Sequence, residues 1–120
     1  MRLLITGSRN LTDSLRVVDA IHNVCRDYKT LPQIVVGDCP TGADQFAREW
    51  AEYNFLEPEV YVADWDKHGK AAGPKRNQAM VDSGANLCLA FPEGDSRGTR
   101  DCIRRALVAG IPTIIYEERQ

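Results

Sequence analysis

Residues 34–51 read IVVGDCPTGADQFAREWA and contain the pattern that decides the fold. The run of β-branched residues at 34–36 is typical of a strand that is covered on both faces, and it leads into a turn flanked by glycines. Apolar side chains then recur at helical spacing, at Ala43, Phe46, Ala47, Trp50 and Ala51. The stretch therefore predicts a buried strand, a tight loop and a helix that packs on the strand, which is the repeating unit of α/β folds.

The rest of the chain repeats this unit. Short apolar runs predict strands at residues 3–5, 34–36, 60–62, 87–91 and 113–116. Further helical stripes lie at Val17, Ile21, Val24 and Tyr28, and at Thr99, Cys102, Ile103, Ala106 and Leu107. Alternating strands and helices imply right-handed crossovers. We therefore expect a three-layer α/β fold, Rossmann-like or flavodoxin-like, with a five-stranded, mainly parallel sheet flanked by helices; the strand order stays open.

Local signals mark where the helices begin and end. Asp13 is placed to cap the first helix, Pro74 suits a first helical turn, and Gly84 and Gly110 lie where helices should stop. Residues 63–73 are polar and predict one long connection. A loop of that length in a small domain is more often functional than idle, so this segment is a candidate part of a site.

Composition restricts the classes of function. The 120 residues suit a single domain, and 43% apolar with 27% charged residues is typical of a globular protein. A net charge of -2 gives no general attraction to nucleic acid. Four widely spaced cysteines without a C-x-x-C pair predict reduced thiols, and no cofactor or metal ion is expected. The short apolar run at the N-terminus and the lack of a long apolar span predict a cytoplasmic protein without a membrane partner.

The loops that follow the first two strands carry candidate ligand-binding residues. In the first loop, Gly7 allows close approach of a ligand to the backbone and Arg9 offers a planar fork for phosphate. The second loop opens a helix whose free N–H groups favour an anion. It has the glycine separation of a P-loop, but Ala43 and Asp44 replace the lysine and hydroxyl residues, which excludes Walker-type ATP hydrolysis. The candidates here are Gly7, Ser8, Arg9, Asp38, Thr41, Gly42, Ala43 and Asp44.

The loops after the third and fourth strands add an aromatic residue and further donors. Trp65 is suited to stack on a base, and Arg76 and Asn77 project from a first helical turn. The loop at residues 92–99 enters the last helix, again at a phosphate-receptive N-terminus. The structural alternatives are a tryptophan lid with Arg76 paired to an aspartate, and an ordinary turn capped by Thr99. The candidates here are Trp65, Gly73, Pro74, Arg76, Asn77, Gly98 and Thr99.

Because the carboxyl ends of parallel strands lie at one edge of a sheet, these four loops are expected to converge on one site. Their donors and single aromatic residue indicate a phosphate with a neighbouring sugar or base. The chain has no G-x-G-x-x-G fingerprint, so binding of a dinucleotide in the usual Rossmann manner is not expected.

At these residues the sequence resembles the SLOG superfamily, and especially its YspA/CpYpsA-related branch. The matching segments are GSR at 7–9, GAD at 42–44, DW at 64–65, HGKAAGP at 68–74, RN at 76–77, Met80, AF at 90–91 and GT at 98–99. The resemblance implies a Rossmann-like fold that binds a nucleotide or a nucleotide-derived signal. It also implies a homodimer that pairs through helices, and a frequent occurrence in phages and mobile elements.

The LOG-type phosphoribohydrolases, which release a base from a nucleoside monophosphate, are more distantly similar. Arg76 with Met80 and the Gly98-Thr99 pair match parts of their pattern. Cys102 stands at the position of their catalytic glutamate, and Glu93 and Asp95 interrupt their double-glycine segment. The similarity therefore does not carry their reaction over to this chain.

Three functions follow as hypotheses. The first is the binding or sensing of a nucleotide-derived ligand without turnover. The second is an N-glycosidic or nucleotide hydrolase in which Arg76 holds the phosphate and Asp44, Asp101 or Glu93 supplies the carboxylate. The third is nucleic-acid binding, because the superfamily also resembles DNA-processing protein A and arginines cluster around the last helix, although Glu117 and Glu118 lie just beyond the final strand; these arginines are Arg97, Arg100, Arg104 and Arg105.

Overall fold

The computed structural model describes residues 1–117, so Glu118 lies outside the described part of the chain. One five-stranded sheet contains β1 (Arg2–Gly7), β2 (Gln33–Gly37), β3 (Glu59–Tyr61), β4 (Leu87–Phe91) and β5 (Thr113–Ile115). Every pair of neighbouring strands is parallel, and the order across the sheet is β3-β2-β1-β4-β5. The expected three-layer Rossmann-like fold is thus confirmed, with a sheet that is wholly rather than mainly parallel.

Helices cover both faces of the sheet: α1 (Ser14–Tyr28), α2 (Gly42–Tyr53), the short α3 (Trp65–His68), α4 (Ala72–Asp82) and α5 (Arg97–Val108). The chain runs outward from β1 to β3 with α1 and α2 on one face. It then crosses back to β4 and β5 with α4 and α5 on the other face. Right-handed crossovers require this change of face, because the chain changes direction across the sheet.

Strand side chains alternate between two apolar cores. On the face covered by α1 and α2, the fully buried Leu3 and Ile5 pack with residues of both helices. On the opposite face, Leu4 packs with Met80 of α4 and Ala106 of α5. Because both faces of the inner strands are covered, these strands read as nearly continuous apolar runs in the sequence. The expectation of such coverage is wrong for the edge strands β3 and β5, where Val60 and Ile114 are 40% and 43% exposed.

Two members of the predicted helical stripes are not in the core. Tyr28 and Leu107 are each 55% exposed. Tyr28 is the last residue of α1 and Leu107 the penultimate residue of α5, so both lie in the final helical turn. The spacing of a stripe identifies the inward face of a helix but not how far along its length the sheet extends.

The prediction of one long polar loop at residues 63–73 is wrong. The segment forms α3, a 3-10 turn at Gly69–Ala71 and the first residues of α4. Asp64 starts α3, because its Oδ1 accepts a hydrogen bond from the Lys67 N–H at 3.0 Å. An aspartate before a helical turn is a common N-cap, so the sequence did contain a signal for this short helix.

The other helix boundaries agree with the predicted signals. Asp13 Oδ1 accepts a hydrogen bond from the Leu15 N–H at 3.1 Å and caps α1. Gly84 and Gly110 follow α4 and α5 with φ of +89° and +79°, in the left-handed conformation that glycine adopts most easily. Within residues 1–117, no helix has the length and apolar character that crossing a membrane requires.

Phe55 occupies the corresponding position after α2 with φ of +59°. The Leu56 N–H donates to the Ala51 carbonyl at 2.8 Å, and the Phe55 N–H donates to the Glu52 carbonyl at 3.0 Å. These two bonds form a Schellman motif, in which glycine is the usual residue at this position. The Phe55 side chain is 98% exposed, so it gains little from burial in return for its backbone strain.

We therefore expect Phe55→Gly to raise the free energy of unfolding by roughly 1 kcal/mol, because a left-handed conformation costs a non-glycine residue about 1–2 kcal/mol. Urea denaturation measures this change. Gly110→Ala is the matched control at the same place after α5 and should have the opposite sign. A variant with glycine at 55 that is no more stable than the parent would contradict this account.

Candidate functional site

The main cleft lies at the carboxyl ends of β1 and β4, where the order of strands changes direction across the sheet. Ligands of open α/β sheets bind at such switch points. The cleft has a volume of about 460 Å³, within the usual range of small-molecule sites. Of the predicted residues, those that line it are Gly7, Ser8, Arg9, Asp44, Arg76, Asn77, Glu93, Gly98 and Thr99.

A second cleft of about 380 Å³ opens beside the first, over the end of β2. Asp38, Pro40 and Trp65 line it. The two clefts share three residues, which are Arg9, Cys39 and Arg76.

Some of the lining residues were not among the ligand-binding candidates predicted from the sequence. Thr6, Asn10 and Cys39 line the main cleft, as do residues 94–97. Each lies in or beside a strand end already marked by a glycine or an arginine. They would have been included if every residue in or beside such a strand end had been taken as a candidate.

Three predicted residues hold the β1 loop against the start of α2 instead of lining either cleft. Thr41 Oγ1 donates a hydrogen bond to the Arg9 carbonyl at 2.9 Å, and the Ala43 N–H donates to the Ser8 carbonyl at 3.2 Å. Gly42 has φ of +72° and lies directly against the Ser8 carbonyl. The Ala43 N–H at the start of α2 is therefore already occupied within the protein.

The remaining predicted residues also lie outside the two clefts. Gly73 lies beside the indole of Trp65, and a Cβ at this position would be 3.2 Å from Cη2 of the ring. Pro74 lies in the first turn of α4. Asp101 accepts hydrogen bonds from Arg104 at 2.7 Å and from Arg105 at 2.8 Å.

Arg76 is fixed at the junction of the two clefts. Its Nη1 donates to Asp38 Oδ1 at 3.0 Å and its Nε donates to Asn77 Oδ1 at 3.1 Å, and the side chain is only 15% exposed. The ion pair with an aspartate, which is the structural alternative for Arg76, is therefore present. It leaves Nη2 without an acceptor among residues 1–117, so the guanidinium still presents a donor at a fixed position.

Asn77 connects the two helices that border the cleft. It is 3% exposed, and its Nδ2 donates to the Gly98 carbonyl at 3.0 Å and to Asp101 Oδ2 at 3.1 Å. Since both acceptors belong to α5, Asn77 links the middle of α4 to the start of α5. Because α4 begins at Ala72, Arg76 and Asn77 lie in its second turn, and the prediction that they project from a first helical turn is wrong.

Asp44 is a buried carboxylic acid in the wall of the main cleft, and 7% of it is exposed. Its Oδ2 accepts a hydrogen bond from the Cys39 N–H at 3.3 Å. Burial raises the pKa of Asp44 to about 6, although the nearby charge of Arg76 acts in the opposite direction. Gly37 leaves room for both groups, because a Cβ there would lie 2.6 Å from Arg76 Nη1 and 2.7 Å from Asp44 Oδ2.

The N-terminus of α5 is open toward the main cleft. Ser96 precedes the helix with φ of +40° and gives no side-chain cap, because its Oγ donates to the Glu93 carbonyl at 2.9 Å. In the described part of the chain, the backbone N–H groups of residues 97–99 have no hydrogen-bond acceptor. Unpaired N–H groups and the helix dipole make this end electropositive and receptive to an anion.

The arginines around α5 are mostly engaged within the protein. Arg104 and Arg105 pair with Asp101, and Arg100 pairs with Glu117 at 3.4 Å. Arg97 lines the main cleft. The described residues bring no three histidine, cysteine or acidic side chains into an arrangement that could hold a metal ion.

Comparison with known proteins identifies two similarities. The family model described as "YspA, cpYpsA-related SLOG family" matches residues 1–68. The Gene 61 protein of Mycobacterium phage D29 is 44% identical to this chain over an alignment that is 123 residues long. The alignment covers 98% of this chain and 98% of the phage protein. No solved structure matches the chain.

Proposed function

Because this chain belongs to the YspA, cpYpsA-related SLOG family, we propose that its 120 residues form a single domain that binds a phosphate-bearing, nucleotide-derived small molecule in the main cleft. The phage relative fits a phage context for this function. The cytoplasmic location and the homodimer are parts of the same proposal, and they rest on the sequence and on the family resemblance.

The observation that carries this proposal is the pairing of two anion-binding features across one cleft. The open N-terminus of α5 supplies backbone donors, and Arg76 supplies a guanidinium donor held in place by Asp38. A phosphate group matches both, because it accepts several hydrogen bonds and its charge is favoured by the helix dipole. The 460 Å³ cleft has room for a sugar beside the phosphate.

A thermal-shift titration with nucleoside monophosphates and other nucleotide-derived phosphates tests the proposal. The parent protein should be stabilised by at least one of them, because a ligand that binds only the folded state raises its stability. Arg76→Gln should weaken binding at least about tenfold, the effect of one hydrogen bond to a charged group.

Arg104→Gln is the matched control. It also removes an arginine from an ion pair with an aspartate, but outside the cleft, so its affinity should equal that of the parent. The proposal fails if no phosphate compound stabilises the parent, or if both variants bind as tightly as the parent.

Asp44 favours a second candidate function, the hydrolysis of the bound nucleotide. A cleft carboxyl with a pKa of about 6 is suited to exchange protons near neutral pH. Glu93 also lines the cleft, whereas Asp101 is held in ion pairs outside it. Cys102 is fully buried, and burial raises the pKa of its thiol to about 11, so it does not replace the missing glutamate.

Analysis of free base after incubation with each bound nucleotide distinguishes the two candidates. Binding without release supports sensing, and release that requires Asp44 supports hydrolysis. The third hypothesis, nucleic-acid binding, stays a prediction, and the internal pairing of Arg100, Arg104 and Arg105 gives it no additional support.

A further inference from the structure

The second cleft adjoins the proposed phosphate site but has different chemistry. Its walls carry a carboxylate, Asp38, and an aromatic ring, Trp65, in place of a helix N-terminus. Arg76 and Arg9 belong to both clefts, so a molecule anchored at Arg76 in the first cleft can extend directly into the second. The second cleft is therefore placed to determine which part of the ligand follows the phosphate.

Asp38 presents a free acceptor at a fixed position. The Arg76 guanidinium at 3.0 Å and the Ala63 N–H at 3.4 Å both donate to its Oδ1. Within residues 1–117, no group donates to Oδ2, and the side chain is 33% exposed. Arg76 also offsets the negative charge of Asp38, so an anionic ligand is not repelled as strongly as it would be by a lone carboxylate.

The position of Asp38 in the sheet favours a sugar as its partner. It follows β2 directly, next to the strand that leads into the main cleft. In dinucleotide-binding sheets, an acidic residue of the first strand–helix–strand unit accepts a hydrogen bond from the ribose 2′-hydroxyl. Asp38 Oδ2 has the same chemistry at the corresponding end of the sheet.

Trp65 supplies a flat apolar surface in the same cleft. Its indole is 53% exposed, while one edge of the ring is held beside Gly73 of α4. An exposed ring held in this orientation suits stacking on a base.

We infer that the ligand is a ribonucleotide, whose ribose 2′-hydroxyl donates to Asp38 Oδ2 and whose base stacks on Trp65. This inference rests on the proposed phosphate site, because the phosphate in the main cleft positions the sugar. It makes Asp38 and Trp65 the residues that distinguish a ribonucleotide from a deoxyribonucleotide and from a simple phosphorylated sugar.

The test measures the affinity of the parent protein for inorganic phosphate, ribose 5-phosphate, four ribonucleoside monophosphates and their 2′-deoxy counterparts. The ribonucleotide with the highest affinity should bind at least about tenfold more tightly than its deoxy counterpart. This ratio is the effect expected from one hydrogen bond to a charged acceptor. In Asp38→Ala this preference should disappear. The readout is the ratio of the affinities for the ribonucleotide and for its deoxy counterpart. Asp38→Ala also removes the partner that holds Arg76, which weakens the binding of both ligands alike and does not by itself change this ratio.

Two further variants complete the test. Asp38→Asn keeps the Oδ1 acceptor for Arg76 and Ala63 and serves if Asp38→Ala does not fold; its preference for ribose should be reduced. Asp66→Ala removes an exposed carboxylate next to Trp65 that lines neither cleft, and it should keep the full preference. Trp65→Ala should lower the affinity for nucleotides but not the affinity for ribose 5-phosphate.

The outcomes separate this inference from the proposed function. Equal affinity for ribonucleotides and deoxyribonucleotides overturns the role of Asp38, and so does a preference that survives in Asp38→Ala. Ribose 5-phosphate that binds as tightly as every nucleotide overturns the stacking on Trp65 but leaves the phosphate site intact. If inorganic phosphate and all its esters fail to bind, the proposed function fails and this inference fails with it.

Discussion

Gly42→Ala is expected to lower the free energy of unfolding by at least about 3 kcal/mol, since a left-handed alanine alone costs about 1–2 kcal/mol and a backbone overlap adds to it. The residue has φ of +72°, and a Cβ would lie 2.1 Å from the Ser8 carbonyl oxygen and 2.6 Å from the Arg9 Cα. Both are backbone atoms, so no side-chain rotation can relieve the overlap. Urea denaturation of the two proteins measures the loss.

Gly98→Ala is the control for this variant. Gly98 lies in the first turn of α5, and apart from its chain neighbours and the backbone of its own helix, no atom is within 4 Å of the position that its Cβ would occupy. Alanine favours a helix more than glycine does, so this variant should be as stable as the parent or up to about 1 kcal/mol more stable. A Gly42→Ala protein of parental stability would mean that the loop after β1 does not pack against α2 as described.

Asp44→Asn is expected to change how stability depends on pH. The folded state raises the pKa of Asp44 from 3.8 to about 6, so folding favours the protonated acid. The stabilisation from this group is fully present below pH 4 and is lost as the pH rises through 6. A pKa difference of one between the folded and unfolded states corresponds to about 1.36 kcal/mol, so the loss in the parent amounts to roughly 3 kcal/mol.

An asparagine at position 44 cannot ionise, so it does not lose this stabilisation. The free energy of unfolding of Asp44→Asn minus that of the parent should therefore increase between pH 4 and pH 7.5. Urea denaturation at a series of pH values measures the difference. Asp66→Asn controls for the removal of one carboxylate at an exposed position of α3. A difference between Asp44→Asn and the parent that stays constant with pH would show that Asp44 is not desolvated in the folded protein.

The sequence predicted the class of fold because buried parallel strands have a strong local signature. The apolar run at 87–91 coincides with β4, and the run at 34–36 forms the centre of β2. Glycines after α4 and α5 marked helix ends through a backbone conformation that few other residues adopt. In these cases the physical cause lies within a few residues, so the pattern could be recognised without the rest of the chain.

The order of strands could not be predicted, because it depends on which face of the sheet each crossover helix covers. The apolar stripes of α2 and α4 do not distinguish the two faces. Residues 63–73 were misassigned for a related reason. A four-residue helix such as α3 is too short to show a hydrophobic period, and its only local signal is the cap at Asp64.

The candidate site was partly predictable for the same reasons. Glycines and arginines at strand ends marked the edge of the sheet where the main cleft lies, and nine of the predicted residues line this cleft. Their individual roles were not predictable from the sequence. Whether the Ala43 N–H is free depends on the Ser8 carbonyl, which approaches α2 from a loop more than 30 residues away in the sequence. The placement of Asp101 depends in a similar way on Asn77 of α4, which donates to its Oδ2 from 24 residues away in the sequence.

The buried amide of Asn77 has a consequence for the kinetics of binding. Because its two donor bonds cross from α4 to α5, the walls of the main cleft cannot separate without breaking both bonds in a dry environment. The proposed binding site is thus pre-organised, and we expect a ligand to enter and leave through the existing mouth without a hinge motion. Association should then be governed by diffusion and orientation, and differences in affinity among related ligands should appear as differences in residence time.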